Sequence, residues 1–238
     1  VVFYAEEPQI AKDGCVHEGF VASRQGLPMI PALAETIAIA KYLLMVEVSG
    51  VRAHFGLLSC GASVELIKAA KAKGLPVTAD VAMHQLHLTD QLIDGFNSLA
   101  HVRPPLRSAA DRDLLRQGVK DGIIDAISTH HEPLSSSAKM APFAETQPGF
   151  TAFDTYVPFG IQLIDEGLFE PLQWVEKVTA APARVANMYA RWVEEAGWAL
   201  VDPALEWTVS KDSIVSNGKN TPLINQTVKG KVLKTFTA

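Results

Sequence analysis

The chain has 238 residues, 48% of them hydrophobic and 20% charged, with a formal net charge of −5. That is the make-up of an ordinary globular protein of one large domain, or one and a half. The acidic balance favours neither nucleic acid nor an anionic membrane as a partner, and no apolar run reaches the roughly 18 residues that a membrane span needs. The two cysteines, Cys15 and Cys60, give neither a disulfide framework nor a metal-binding spacing, so a reducing cytoplasm is the expected compartment.

Val1–Tyr4 reads as a short strand that Pro8 keeps from continuing, and not as a signal peptide. A chain that opens inside a strand without Met is expected to be the later part of a larger protein. Residues 9–30 read as loop. From Pro31, Leu33, Ile37, Ala40, Leu44 and Val48 recur at helical spacing until Gly50. Val51–Leu58 is the next expected strand, Ser63–Lys73 a helix closed by Gly74, and Leu75–Ala82 a third strand. A polar loop follows over His84–Asn97. Ser108 then offers an N-cap for a helix over Asp111–Val119. Ile123–Thr129 is a fourth apolar run, ending in the adjacent pair His130 and His131. Helices are expected around 152–166, 172–178 and 182–189. Beyond residue 191 the texture turns to short β-like runs, Trp198–Val201, Trp207–Val209 and Val228–Lys234.

Strands alternating with helices imply parallel βαβ units in an α/β fold. Four such strands fit half of a (β/α)8 TIM barrel, a fold that needs ~250 residues when whole. The expected division is therefore the second half of a barrel over 1–190 and part of a small β-sandwich over 191–238. In such folds chemistry sits at the C-terminal ends of strands, where His130 and His131 lie.

Several segments resemble the dihydroorotase family of amidohydrolases, in order and over nearly the whole chain. They are Gly19–Pro28 with Pro31–Thr36, Ser63–Ile67 with Gly74–Thr78, Leu86–Asp90, Pro104–Arg107 with Asp121–Ile127, and Gly218–Pro222. The resemblance implies an amidohydrolase barrel beside a small β-sandwich. It also implies chemistry in which a metal polarises a carbonyl and activates water while a carboxylate moves the proton, interconverting carbamoyl aspartate and dihydroorotate.

Each position that the resemblance assigns to that chemistry is changed here. The family's His-Ala-Glu-Asp-Pro becomes Tyr4-Ala5-Glu6-Glu7-Pro8, so Tyr4 stands for a metal ligand. Leu57, before Leu58-Ser59, stands for a second ligand. His54, three residues earlier, falls on the opposite strand face by the two-residue period. Thr-Asp-His-Ala-Pro-His becomes Thr129-His130-His131-Glu132-Pro133-Leu134, which puts His130 at the catalytic Asp and Leu134 at a substrate-contacting His. Arg103 replaces the Asn before Pro-Pro-Leu-Arg. Leucine offers a metal nothing, and Tyr is a poor zinc ligand. The resemblance is therefore to the family's proteobacterial non-catalytic branch, whose members accompany aspartate carbamoyltransferase. It implies no catalytic residue, no metal or other cofactor, and a homo- or hetero-oligomer with that enzyme's catalytic subunit.

The rival reading is an active zinc-dependent cyclic amidohydrolase with a rearranged site that uses His130, His131 and residues outside this chain. A weaker third is a sensor that binds a pyrimidine precursor without turnover, through a residual pocket of Arg103, His131, Pro148 and Gly149. The blander readings are preferred for most candidates. His130 and His131 would fill space that a metal has left, His84 and His87 would line a loop rim, and Tyr4 would plug the barrel mouth. Glu6 and Glu7 would form a solvated turn, and Cys60 would be a small helix-start residue. Trp174, Trp192, Trp198 and Trp207 fit core packing at least as well as an interface.

Overall fold

A computed structural model of the chain describes residues 1–237. Its centre is an open sheet of four parallel strands, in the order β1 (Val2–Tyr4), β4 (Ala53–Gly56), β5 (Val77–Ala82) and β6 (Ala126–Ser128). These cores fall inside the expected runs but are shorter, because the ladder begins only where neighbouring backbones come into register. The register pairs His54 with Val2 and Thr78, Gly56 with Tyr4, Ala79 with Phe55, and Ser128 with Ala82. Alternation then sorts the side chains. Phe55, Val77, Ala79, Val81 and Ile127 face the helices and are buried, whereas Tyr4, His54, Thr78, Asp80 and Ser128 face the concave side.

The helices cover the outer face. They are α3 (Ala32–Ser49), α4 (Gly61–Ala72), α5 (Ala109–Lys120), α6 (Phe153–Asp165), α7 (Pro171–Val178), α8 (Ala180–Val185) and α9 (Tyr189–Glu195). Their ends follow the expected signals. Gly50 adopts φ 65° at the end of α3, and the Ser108 hydroxyl accepts from Asp111 N–H to open α5. Helix α3 is apolar on almost every side: Ala34, Ala38, Ile39 and Val46 are buried, while Leu33, Ile37, Leu44 and Val48 form an exposed stripe.

Two loop expectations are corrected. Residues 9–30 contain α1 (Pro8–Ala11), α2 (Phe20–Gln25) and a small parallel pair, β2 (Val16–His17) with β3 (Met29–Ile30). These elements are too short to leave a periodic signal. The polar stretch 84–97 is largely 3-10 turn, and its first residues are core: His84 is 1% exposed and Leu86 is fully buried. The helix expected over 182–189 is two shorter helices, with Asn187 in the left-handed conformation between them.

The C-terminal part is an antiparallel ribbon of β7 (Trp198–Thr208) and β8 (Thr227–Phe236). The runs on either side of Asp202-Pro203 are one strand with a register shift, since proline at a bulge does not end pairing. The connection between the two strands folds back on the barrel half. Val209, Ile214 and Leu223 join the same buried cluster as Phe55 and Val81. Of the four tryptophans, Trp174 packs against Gly160 of α6, Trp207 donates to Gly230 C=O within the ribbon, and Trp198 is 61% exposed and stacks on Phe236.

Candidate functional site

The concave ends of the four strands carry the positions singled out in the sequence. Tyr4 is 71% exposed in this half of the barrel, with its ring lying across Gly56. A Cβ at residue 56 would stand 3.0 Å from Tyr4 Cε1, so glycine is what lets the ring lie there. Tyr4 and Leu57 line one cavity of about 240 Å³, together with Glu6, Glu35, Arg103 and Arg107. Leu57 has φ 60° and His130 φ 45°. Both thus hold a left-handed backbone that costs a non-glycine residue about 1 kcal/mol.

The turn at Leu57 also corrects the reading of His54. His54 faces the concave side, where Nε2 lies 2.8 Å from Asp80 Oδ2 and Nδ1 lies 2.8 Å from Thr78 Oγ1. Asp80 also accepts from Ser128 Oγ at 2.8 Å and from Leu57 N–H at 3.2 Å. A polar chain Thr78–His54–Asp80–Ser128 therefore crosses three strands. It is not a Ser–His–Asp relay, because the Asp80 carboxylate sits between Ser128 and His54 and the imidazole does not meet the serine hydroxyl. The signal for it was available: 54, 78, 80 and 128 are polar positions at the two-residue period inside otherwise apolar strands.

The paired histidines serve local structure. His131 Nδ1 accepts from the N–H groups of Ala152 (3.0 Å) and Phe153 (3.2 Å), and its ring stacks on Phe153 at 4.1 Å. It thus satisfies amides at the start of α6, and burial lowers its pKa. His130 stacks at 5.6 Å on His84, which also meets Phe150. Neither ring nitrogen of His84 has a hydrogen-bond partner, and burial pushes its pKa down to about 3. His84 and His87 are therefore not on a loop rim: His87 stacks on Phe159 at 4.1 Å, with its pKa pushed down to about 3 by burial and then by Arg116.

The residues expected to form a residual pocket meet partners within the chain. Arg103 donates from Nε to both carboxylate oxygens of Glu6, at 3.1 Å each. Glu7 accepts from Lys41 at 2.7 Å, so the expected solvated acidic turn is a pair of ion pairs. Gly149 N–H donates to His101 C=O at 2.9 Å, and a Cβ at residue 149 would stand 2.9 Å from Leu134 Cδ1 and 3.0 Å from Glu132 C=O. Pro148 is exposed beside it. Of Arg103, His131, Pro148 and Gly149, only Arg103 lines the mouth cavity.

The wall of that cavity includes a buried pair that sequence reading missed. Glu35, in the first turn of α3, accepts from Ser59 N–H at 3.0 Å and from the Ser59 hydroxyl. Arg107 approaches the same carboxylate at 3.9 Å and donates to Ser59 Oγ (3.0 Å) and Ile30 C=O (2.7 Å). Cys60 begins α4 beside them. Burial and then the Glu35 charge push its thiol up to about 12, so it is no nucleophile.

The donor set does not fit a catalytic zinc. Leu57 has no lone pair to give, Tyr4 is a poor ligand, and His130 packs against His84. Among the described residues no group of three or more His, Cys, Asp or Glu side chains can hold a metal ion. Among the described residues no helix is long and apolar enough to cross a membrane.

A parallel α/β sheet with its polar residues at the C-terminal strand ends, joined to a β ribbon, defines the C-terminal half of an amidohydrolase-type β/α barrel. The L-hydantoinase of Arthrobacter aurescens shares this fold at a TM-score of 0.83 and 21% identity, over 99% of this chain and 55% of that one. A dihydroorotase-like protein of Pseudomonas aeruginosa is 42% identical over 239 residues, 99% of this chain and 56% of that protein. A dihydroorotase of Trichlorobacter lovleyi is 34% identical over 97% of this chain and 55% of that protein. Over nearly its whole length the chain is similar to dihydroorotases and dihydroorotase-like proteins, and it spans about half the length of the curated relatives it matches. No family profile matches the sequence.

Proposed function

We propose that this chain is part of a non-catalytic dihydroorotase-like subunit, which supports aspartate carbamoyltransferase in cytoplasmic pyrimidine biosynthesis. The observation that carries the reading is the joint replacement at the strand ends: Tyr4, Leu57 and His130 stand where the resemblance places two metal ligands and the catalytic carboxylate. One lost ligand can be offset by a neighbour. Losing three leaves neither a Lewis acid nor a proton shuttle. The Arg103–Glu6 ion pair and the Leu134 side chain over Gly149 support it further, since both take up groups that would otherwise meet a substrate. A subunit without chemistry of its own acts by association.

The partnership is tested by size-exclusion chromatography of the full-length protein with the aspartate carbamoyltransferase catalytic chain of the same organism. The expected result is a single complex eluting ahead of either component, stable at micromolar concentration. Separate elution at every ratio would remove the supporting role.

A further inference from the structure

We infer that the cleft between the Ser136–Lys139 turn and the Lys211–Ile224 segment binds a small anion carrying a phosphate or carboxylate group. The cleft has a volume of about 490 Å³ and is lined by Lys139, Lys211 and Lys219, with no aspartate or glutamate in its wall. Three lysines on the wall of one cavity stand out in a chain whose net charge is −5.

Lys139 is the centre of the argument. It is 7% exposed, and its Nζ donates to His101 C=O at 2.9 Å and Gln147 C=O at 2.7 Å. An ammonium has three N–H donors, so one is left without a protein acceptor. No carboxylate lies within ion-pair distance among the described residues. Buried charges are ordinarily paired, because removing one from water costs several kcal/mol. Burial pushes the Lys139 pKa down to about 8, against a smaller opposing influence of Glu132. Lys219 repeats the pattern: its Nζ donates to Ile214 and Ser216 carbonyls and meets no carboxylate. An anion in the cleft would supply the missing counter-charge to both.

The walls define the ligand further. Leu99, Leu134 and Ile224 form an apolar side suited to a short hydrocarbon body, and Ser136 and Asn217 add polar groups at the rim. The volume admits a small organic acid or phosphate ester and excludes a polymer. The cleft is also preformed. Asn220 fixes its floor by accepting from Leu134 N–H at 2.7 Å and donating to Glu132 C=O at 2.9 Å. Gly218 lies so close to the Leu134 backbone that a Cβ would come within 2.4 Å of it. Little ordering remains to oppose binding.

Calorimetric titration of the full-length protein at neutral pH and low salt, with inorganic phosphate and separately with succinate, tests the site. Saturable binding of at least one probe is expected, weakened at least fivefold by Lys211→Ala and abolished by Lys139→Met. Lys68→Ala, on the exposed face of α4, should leave it unchanged. Binding of phosphate alone assigns a phosphate ester, and binding of succinate alone a carboxylate. If Lys139→Met fails to fold, the double variant Lys211→Ala/Lys219→Ala decides, since neither lysine is in the core. The inference is overturned if neither probe binds saturably, or if the lysine variants bind within twofold of the parent.

Discussion

Replacing Glu35 with alanine is expected to destabilise the protein by about 3–5 kcal/mol, the usual cost of breaking a buried ion pair from one side. The loss is large because Glu35 has several dependents. Its carboxylate is 4% exposed and receives the Ser59 N–H, the Ser59 hydroxyl and the approaching Arg107 guanidinium. Truncation would strand an arginine that is itself 3% exposed and could not reach water without opening the cavity mouth. Urea unfolding reads the effect as a lower midpoint at unchanged slope. The double variant Glu35→Met/Arg107→Leu is expected to lose less than either single truncation, because no charge is then left unpaired. A Glu35→Ala loss below about 1 kcal/mol would mean that the pair is solvated and does not tie α3 to the strand ends.

The second large effect is acid destabilisation by buried histidines. Burial holds the pKa of His84 and of His87 at about 3, and burial followed by Lys139 and Arg103 holds that of His101 at about 4. All three lie below the unfolded value near 6.5, so the unfolded chain binds protons that the folded chain refuses. Their contribution is fully present above pH 6.5 and is lost as pH falls from there toward 3–4. The loss amounts to roughly 2–3 kcal/mol per group by pH 4.5. Thermal unfolding across pH 7.5 to 4.5 should show the midpoint dropping steeply below 6.5. His84→Leu, which removes a ring with no hydrogen-bond partners, should flatten that slope. A midpoint flat down to pH 5 would show that these rings take up protons without leaving their places.

The sequence carried the strands, the helix ends and the strand-end positions well, because these rest on local rules. An apolar run bounded by Gly or Pro marks a buried strand whatever surrounds it, and Gly50, Gly74 and Ser108 end or begin helices by backbone chemistry alone. What escaped depends on contacts between distant segments. Glu35 and Arg107 lie 72 positions apart in the numbering and meet only because α3 and the Pro104–Arg107 loop close over the same strand end. Asp80 was hidden inside an apolar strand, although its period-two partners Thr78 and Ala82 marked the concave face. His54 was misplaced because strand alternation was carried past Gly56, where the left-handed turn at Leu57 breaks it. His84 was expected at the surface on the polarity of its neighbours, but aromatic packing on His130 and Phe150 decided otherwise.

The proposed non-catalytic function rests on Tyr4, Leu57 and His130 standing where the resemblance places two metal ligands and the catalytic carboxylate. The measurement that bears on this most directly is a dihydroorotase assay of the full-length protein, in both directions and with added zinc. No turnover above background is expected at any zinc concentration. Zinc-dependent turnover of order 1–10³ s⁻¹, the ordinary range for enzymes, would contradict the non-catalytic reading outright.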